Sequence, residues 1–341
     1  MNLPMLIESL SRPDAYPHPV ERVEVVQTHI SVVFLVGSLV YKIRKPVNPG
    51  FLDFTTLEKR HHDCHEEVRL NRRLAPEVYL GVVPIVREDG RLRVEGESEV
   101  VEWAVKMRRL PDDASLLRRL ERGELTVPLL ATLGQRIADF HRTSLGGERV
   151  AAFGRFDVVA GVIRDTLARA RPQVGVTVQA EVFERLTALV EESLSRLRPL
   201  IESRADRRVP REGHGDLHLD HVFHFPDRTP PADLIAIDCI EFSERLRCTD
   251  PVADAAFLVM DLRFRGRPDL ASAFSDSYLA ASGDGEGREL LPLYSAYRAI
   301  VRGMVEGLIP GEAEVPETQR QRAIESSGRH WLLALSILES P

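Results

Sequence analysis

The segment REGHGDLHLDHVFHF, Arg211 to Phe225, together with the IDCIEF run from Ile237 to Phe242, constrains this chain more than any other stretch. Each part sets a carboxylate, Asp216 or Asp238, beside apolar residues of strand character. The two are separated by a turn that contains Pro226, Asp227, Pro230 and Pro231. Short apolar runs bounded by proline and aspartate read as paired strands, and a hairpin of this kind can aim both carboxylates at one point.

The rest of the chain must supply a fold that can carry such a hairpin. With 341 residues, 43% of them hydrophobic, the chain can bury a substantial core in two domains or one large one. Its 45 basic and 52 acidic residues are interspersed, so no basic face recommends nucleic acid and no acidic tail recommends disorder. Cys64, Cys239 and Cys248 have no CxxC spacing and are odd in number, which argues for free thiols in a reducing compartment. The N-terminus lacks the charged start and long apolar run of a leader, and no run of 18 apolar residues occurs. A cytoplasmic protein with no membrane partner is the expectation.

Val23 to Pro46 is rich in Val, Ile, Phe and Tyr with breaks near Gln27 to His29 and at Gly37 and Ser38, a pattern that predicts three strands in hairpins. Thr55 to Leu74 has helical spacing and stops before Ala75 and Pro76. Tyr79 to Val86 and Leu92 to Met107 return to strand patterns. After Arg109 the character changes: Leu125 to His141, Asp157 to Ala170 and Val178 to Ile201 read as amphipathic helices. Helices resume at Pro251 to Phe264, Leu270 to Ala281, Glu289 to Leu308 and Thr318 to Leu338. The expected fold class is α+β in two lobes: a small antiparallel sheet with one main helix over residues 1–107, and a larger, mostly helical lobe over 108–341.

His214, Gly215 and Asp216, followed by Ile237 to Phe242 and by Asp250-Pro251 with Asp254-Ala255-Ala256, occur in an order that resembles the aminoglycoside phosphotransferase-like branch of the kinase fold. That family's loop reads H-G-D-x-x-x-x-N; here the last position is His221 instead of Asn. The resemblance runs from about Val23 to Leu308. No G-x-x-x-x-G-K-[ST] is present, so the P-loop ATPase domain carried by some relatives is not expected and a stand-alone version is.

The resemblance implies an ATP-dependent phosphotransferase that uses Mg2+, with Mn2+ an option, and a small-molecule hydroxyl substrate of the amino-sugar, sugar or amino-alcohol class. Asp216 is then the catalytic residue that orients the acceptor hydroxyl, and His214 its companion in the catalytic loop, of bracing character. Asp238 is implied as the main metal ligand, because magnesium prefers hard oxygen donors. His221 or Asp220 would stand near the metal; imidazole suits softer metals than an amide oxygen does. Lys42, in VYKIRK, resembles the phosphate-binding strand lysine, with Lys45 as rival. Glu67 is its implied anchor, seven residues before Leu74, with neighbouring Glu66 the alternative.

Between the first two strands the chain offers Thr28-His29-Ile30-Ser31 with no glycine, so Thr28 and Ser31 are the candidates for phosphate contact there. Glu102 to Met107, with Trp103 and Val105, resembles the lobe connection that pairs with adenine. The Asp250 and Asp254 carboxylates have a structural part, capping and stabilising a loop. The acceptor should lie against the helical lobe, walled by Asp157 to Arg204 and Leu290 to Glu306, with Tyr294, Tyr297, Arg298 and Arg302 lining it. Two other readings compete. One is a nucleotide-binding regulatory protein of the same fold without catalysis, suggested by His221 and the missing glycine loop. The other is a zinc-dependent hydrolase, suggested by Asp216, His218, Asp220 and His221, which spell D-x-H-x-D-H.

Overall fold

The chain begins with a helix that the sequence pattern leaves unassigned. In α1 (Leu3–Leu10) the Asn2 side chain accepts a hydrogen bond from the Met5 N–H, Pro4 sits in the first turn, and Leu6 and Leu10 are buried. An asparagine cap followed by proline is a helix start. The computed structural model describes residues 2–48, 50, 52–311 and 315–340.

The β-branched stretch after it forms β1 (Val23–Gln27), β2 (Ser31–Val36) and β3 (Leu39–Arg44), with Gly37 turning β2 into β3 at φ 59°. Helix α2 (Leu57–Asn71) starts at a Thr56 cap whose hydroxyl accepts from the Lys59 N–H. Then come β4 (Tyr79–Glu88), β5 (Arg91–Val94) and β6 (Glu99–Arg108). The expected strand over Leu92 to Met107 is in fact two strands, broken where Glu95 takes a positive φ of 63°. The six strands pair antiparallel in the order β1-β2-β3-β6-β4-β5.

Most of the remainder is helical: α3 (Leu116–Glu121), α4 (Val127–Thr143), α5 (Glu148–Ala152), α6 (Phe156–Ala170) and α7 (Ala180–Asp206) precede the short strands β7 (Arg211–Glu212), β8 (Val222–His224) and β9 (Leu234–Ala236). After α8 (Glu244–Arg247) and β10 (Cys248–Thr249) the chain continues as α9 (Pro251–Phe264), α10 (Pro268–Ser282), α11 (Gly287–Glu306) and α12 (Glu317–Glu339). The expected long helices are all present. Of the expected hairpin, β8 pairs antiparallel with β9 and Asp238 comes just after it, whereas Asp216 precedes β8 and lies outside the hairpin.

Two compact units result, one of Met1–Arg119 with Asp220–Glu244, the other of Leu120–Leu219 with Arg245–Pro341. The β8–β9 segment thus packs with the sheet, although in sequence it lies among helices. In the first unit, Phe34, Tyr41 and Ile43 share a core with Leu6 and Leu10 of α1. On the other face Val40, Cys64, Tyr79 and Val105 pack with Phe223 and Ile235 of the hairpin. In the second unit α9 is buried along nearly its whole length, against α10 and α11. Among the described residues no helix is long and apolar enough to cross a membrane.

Candidate active site

Alternation along β3 decides which of its side chains meet α2. Tyr41 and Ile43 enter the core shared with α1, so Lys42 and Arg44 take the opposite face. Lys42 Nζ lies 3.0 Å from Glu67 Oε1 and 2.8 Å from Asp238 Oδ1. Arg44, 1% exposed, donates to Glu67 Oε2 and Asp63 Oδ2, each at 2.5 Å, to the Ser31 hydroxyl at 2.9 Å, and to Glu241. Asp63 and Glu67 can share this arginine because residues four apart lie on one helical face. Glu66 turns outward and pairs with Arg69 at 2.7 Å. Lys45, past the end of β3, gives its N–H to the Ile30 carbonyl.

Two cations here face four carboxylates, Asp63, Glu67, Asp238 and Glu241. Burial pushes the Glu241 carboxyl up to about 8, with Glu67 adding to the rise and Arg44 opposing it. Burial also raises Asp63, against the pull of Arg44. For Lys42, burial works against the charged form, but Asp238 and Glu67 together hold its pKa above the ordinary lysine value.

Asp238 lies two residues beyond the end of β9 and has a φ of 64°, a left-handed conformation that aspartate tolerates better than most residues. The backbone is pinned around it. The Asp238 N–H donates to the Tyr79 hydroxyl at 3.1 Å, the Cys239 N–H to Asn71 Oδ1 at 2.9 Å and the Ile237 N–H to the His221 carbonyl at 3.0 Å. Its carboxylate remains 44% exposed, with His221 Nε2 3.6 Å away. Asp220, in the same short turn, is exposed.

Two expectations need correction. Val105 lies inside β6 between Val82 of β4 and Lys42 of β3, and Trp103 of the same strand pairs with Pro84 of β4, so their backbones belong to the sheet and not to a lobe connection. Glu102 to Met107 all fall within that strand. The Ser31 hydroxyl is buried on Arg44, and the Thr28 hydroxyl accepts from the Ser31 N–H at 3.0 Å. The Ser31 hydroxyl thus serves Arg44 of β3, and the Thr28 hydroxyl the turn between β1 and β2.

In the second unit the His214-Gly215-Asp216 loop hangs on Asp254 of α9. That carboxylate, fully buried, accepts the His214 N–H at 2.7 Å and the Gly215 N–H at 2.8 Å, and lies 3.0 Å from His141 Nε2. Burial opposes its charge, yet these donors hold its pKa well below the usual carboxylate range. A Cβ on Gly213 would sit 2.6 Å from the same carboxylate, and Gly215 has a φ of 86°. His214 is wholly buried and accepts the Asp216 N–H through Nδ1 at 3.3 Å, the position of a brace. His218 Nε2 is 3.6 Å from Asp216 Oδ2; burial works against its charged ring, but Asp216 raises its pKa overall. Asp250 caps α9 by accepting the Val252 N–H at 3.0 Å and pairs with Arg204 at 2.6 Å.

The second unit also holds a pocket lined by Val159, Val162 and Ile163 of α6, by Tyr294, Tyr297 and Arg298 of α11, and by Arg245. Three of the four lining residues expected on α11 are there; the fourth, Arg302, pairs with Glu306 at 3.2 Å.

Sequence reading missed Arg44, Asp63 and Glu241. The available signal was position: Arg44 is two residues beyond Lys42 on the same strand face, Asp63 one helical turn before Glu67.

No family model matches the chain. Uncharacterized proteins of Mycobacterium bovis and Mycobacterium tuberculosis are 35% identical to it over 294 residues, 86% of this chain and 56% of each relative. The chain thus spans little more than half the length of these curated relatives. A choline/ethanolamine kinase family protein from Mesorhizobium loti superposes with a TM-score of 0.50 at 12% identity, covering 99% of both chains. Amicoumacin kinase, solved in complex with AMP-PNP, Ca2+ and Ami, gives 0.51 at 11% identity over 96% of this chain and 93% of that one. The chain has the kinase-like fold of the aminoglycoside phosphotransferase-like proteins that its motifs resemble. This is not the sandwich of sheets and helices that the zinc hydrolase reading requires.

Proposed function

We propose that the protein is a small-molecule kinase that transfers the γ-phosphoryl group of ATP to an acceptor hydroxyl. The observation that carries this reading is Lys42 held between Glu67 at 3.0 Å and Asp238 at 2.8 Å, a strand lysine tied both to a helix glutamate and to the carboxylate that follows β9. In phosphoryl transfer the protein mostly positions groups and balances charge. Lys42 would hold phosphate oxygens, and Glu67 would keep it oriented. Asp216 would orient the acceptor hydroxyl and accept its proton as the new O–P bond forms and the bond to the ADP oxygen breaks.

A divalent cation fits the donors present: Asp238 offers an exposed hard carboxylate, and the Lys42–Arg44 cluster has two more carboxylates than cations. Asp238 would hold it, with His221 or Asp220 beside it. When bound, such an ion neutralises phosphate charge.

The test is direct. With Mg2+ and ATP, and a panel of amino-sugars, sugars and amino alcohols as acceptors, the protein should transfer phosphate, and Asp216→Asn should cut the rate by about 100- to 10,000-fold. Undiminished transfer in that variant would remove Asp216 from the mechanism. A second reading, nucleotide binding without turnover, is favoured by a β1–β2 turn that has no glycine and whose Thr28 and Ser31 hydroxyls are engaged, by the Ser31 N–H and by Arg44. It expects ATP to bind and no acceptor to be phosphorylated.

A further inference from the structure

The pocket of the second unit contains a charge that the protein leaves unbalanced. Arg298 is 4% exposed, and its Nε donates to the Ala253 carbonyl at 3.0 Å. The guanidinium carbon lies 4.9 Å from the Phe257 ring centre and 5.4 Å from that of Tyr297. Among the described residues no carboxylate pairs with it, and its terminal N–H groups have no acceptor. Arg204, another buried arginine of this unit, is by contrast surrounded by Asp250, Asp284 and Glu286. The terminal nitrogens of Arg298 are not among the fully buried polar atoms, so they open to solvent in the pocket, placed to meet an anion from outside the chain. The planar fork of terminal N–H groups matches a carboxylate or phosphate.

A second arginine is brought to the same pocket. Arg245 lines it and is tethered to Asp165 at 3.0 Å. The helix beneath is bare at this point: a Cβ on Gly161 of α6 would meet Arg245 Nη2 at 3.1 Å. Glycine in the middle of a helix is unfavourable relative to alanine, and here it makes room for a cation. Among the described residues that line the pocket none is acidic; besides the two arginines the walls are apolar, tyrosine and Thr249. Phe257, under Arg298, also packs on the His218 ring at 5.6 Å between centres, and His218 lies 3.6 Å from Asp216.

We propose that this pocket binds the carboxylate or phosphate of the acceptor, so that the hydroxyl compound phosphorylated is a small anion and not a polyamine. The inference rests on the kinase reading for its assignment of Asp216 to the acceptor; the anion site itself stands on Arg298 and Arg245. Amines, which the family resemblance would place first among acceptors, meet two guanidinium groups in this pocket and no carboxylate.

The experiment uses the full chain in a phosphate-free chloride buffer. Inorganic phosphate and glycerate are the anionic probes, and glycerol and ethanolamine their neutral and cationic counterparts. Saturating anion should raise Tm by about 3 °C, whereas the counterparts should not. Arg298→Met, which keeps the bulk and removes the charge, should weaken anion binding about tenfold or more, and Arg298→Lys should restore part of it. Equal responses to all four probes, or anion binding that survives in both Arg298→Met and Arg245→Gln, would overturn the proposal. Response to phosphate alone or glycerate alone tells which head group the site takes. Turnover is scored separately: anion binding that depends on Arg298 without any ATP-dependent transfer leaves the anion site standing and removes the kinase reading. Transfer that favours amines over anions does the reverse.

Discussion

At the scale of single residues, Lys42 and Arg44 share Glu67 as a partner and have different expected consequences when lost. Lys42 reaches the exposed Asp238 carboxylate, whereas Arg44 is enclosed by Asp63, Glu67 and Glu241. Lys42→Met should therefore spare the fold and lower phosphate transfer by about 100-fold or more, as loss of one preorganised charge-stabilising group does. Arg44→Met leaves three buried carboxylates facing one another and should destabilise the protein by about 3–5 kcal/mol in urea unfolding. Glu241 adds a pH dependence. Its folded pKa, about 8, lies above the ordinary carboxylate value, so the folded state binds the proton more tightly than the unfolded chain. The stability this gives is fully present below the ordinary value and is lost as pH rises toward 8, with a slope of up to about 1.4 kcal/mol per unit. Glu241→Gln, which mimics the protonated form, should flatten that slope between pH 5 and 8. An unchanged slope would mean that Glu241 is ionised throughout.

At the scale of elements, the loop that carries Asp216 is shaped by a helix more than thirty residues further on. Asp254 takes two loop N–H groups, and Gly213 is close enough that only hydrogen fits. Gly213→Ala should cost about 1–3 kcal/mol of stability through overpacking and lower transfer with it, measured by thermal melts beside turnover. The elements also show what a sequence makes readable. Amphipathic helices such as α4, α6 and α11 announce themselves through three- and four-residue spacing, and β1 to β3 through their β-branched runs and the glycine between the last two. The helix α1 hid because its eight residues carry too few repeats to establish a period, although Asn2 and Pro4 marked its start. Trp103 and Val105 fall in a strand, which has the same local pattern as an extended connection; only pairing with β4, and for Val105 also with β3, separates the two. Glu67 could be chosen over Glu66 from its register to Leu74. Arg44 could not be chosen, because an arginine beside a lysine reads as surface charge until a helix bearing Asp63 and Glu67 packs on it.

At the scale of the whole molecule, the chain order and the order of packing differ. The first unit takes Asp220–Glu244 from a place in sequence beyond three long helices. That segment supplies Phe223 and Ile235 to the core built on Val40, Cys64, Tyr79 and Val105, and Glu241 to Arg44. It also accounts for the Tyr79 hydroxyl and the Asn71 side chain, which accept the Asp238 and Cys239 N–H groups. A fragment of residues 1–119 would keep all six strands of the sheet and α2 and still lack these contacts. Uncovering two large apolar side chains removes about 3–6 kcal/mol of burial, and leaving Arg44 with one carboxylate fewer shifts the balance of a buried ion cluster. Against a total stability of about 5–15 kcal/mol for a domain, that loss is decisive. The fragment should show no cooperative thermal transition by circular dichroism, whereas the full chain should melt cooperatively. Joining residues 220–244 to the fragment through a flexible linker should restore the transition. A cooperative melt of residues 1–119 alone would place the stabilising core in the sheet and α1, and would reduce the hairpin to a carrier of Asp238.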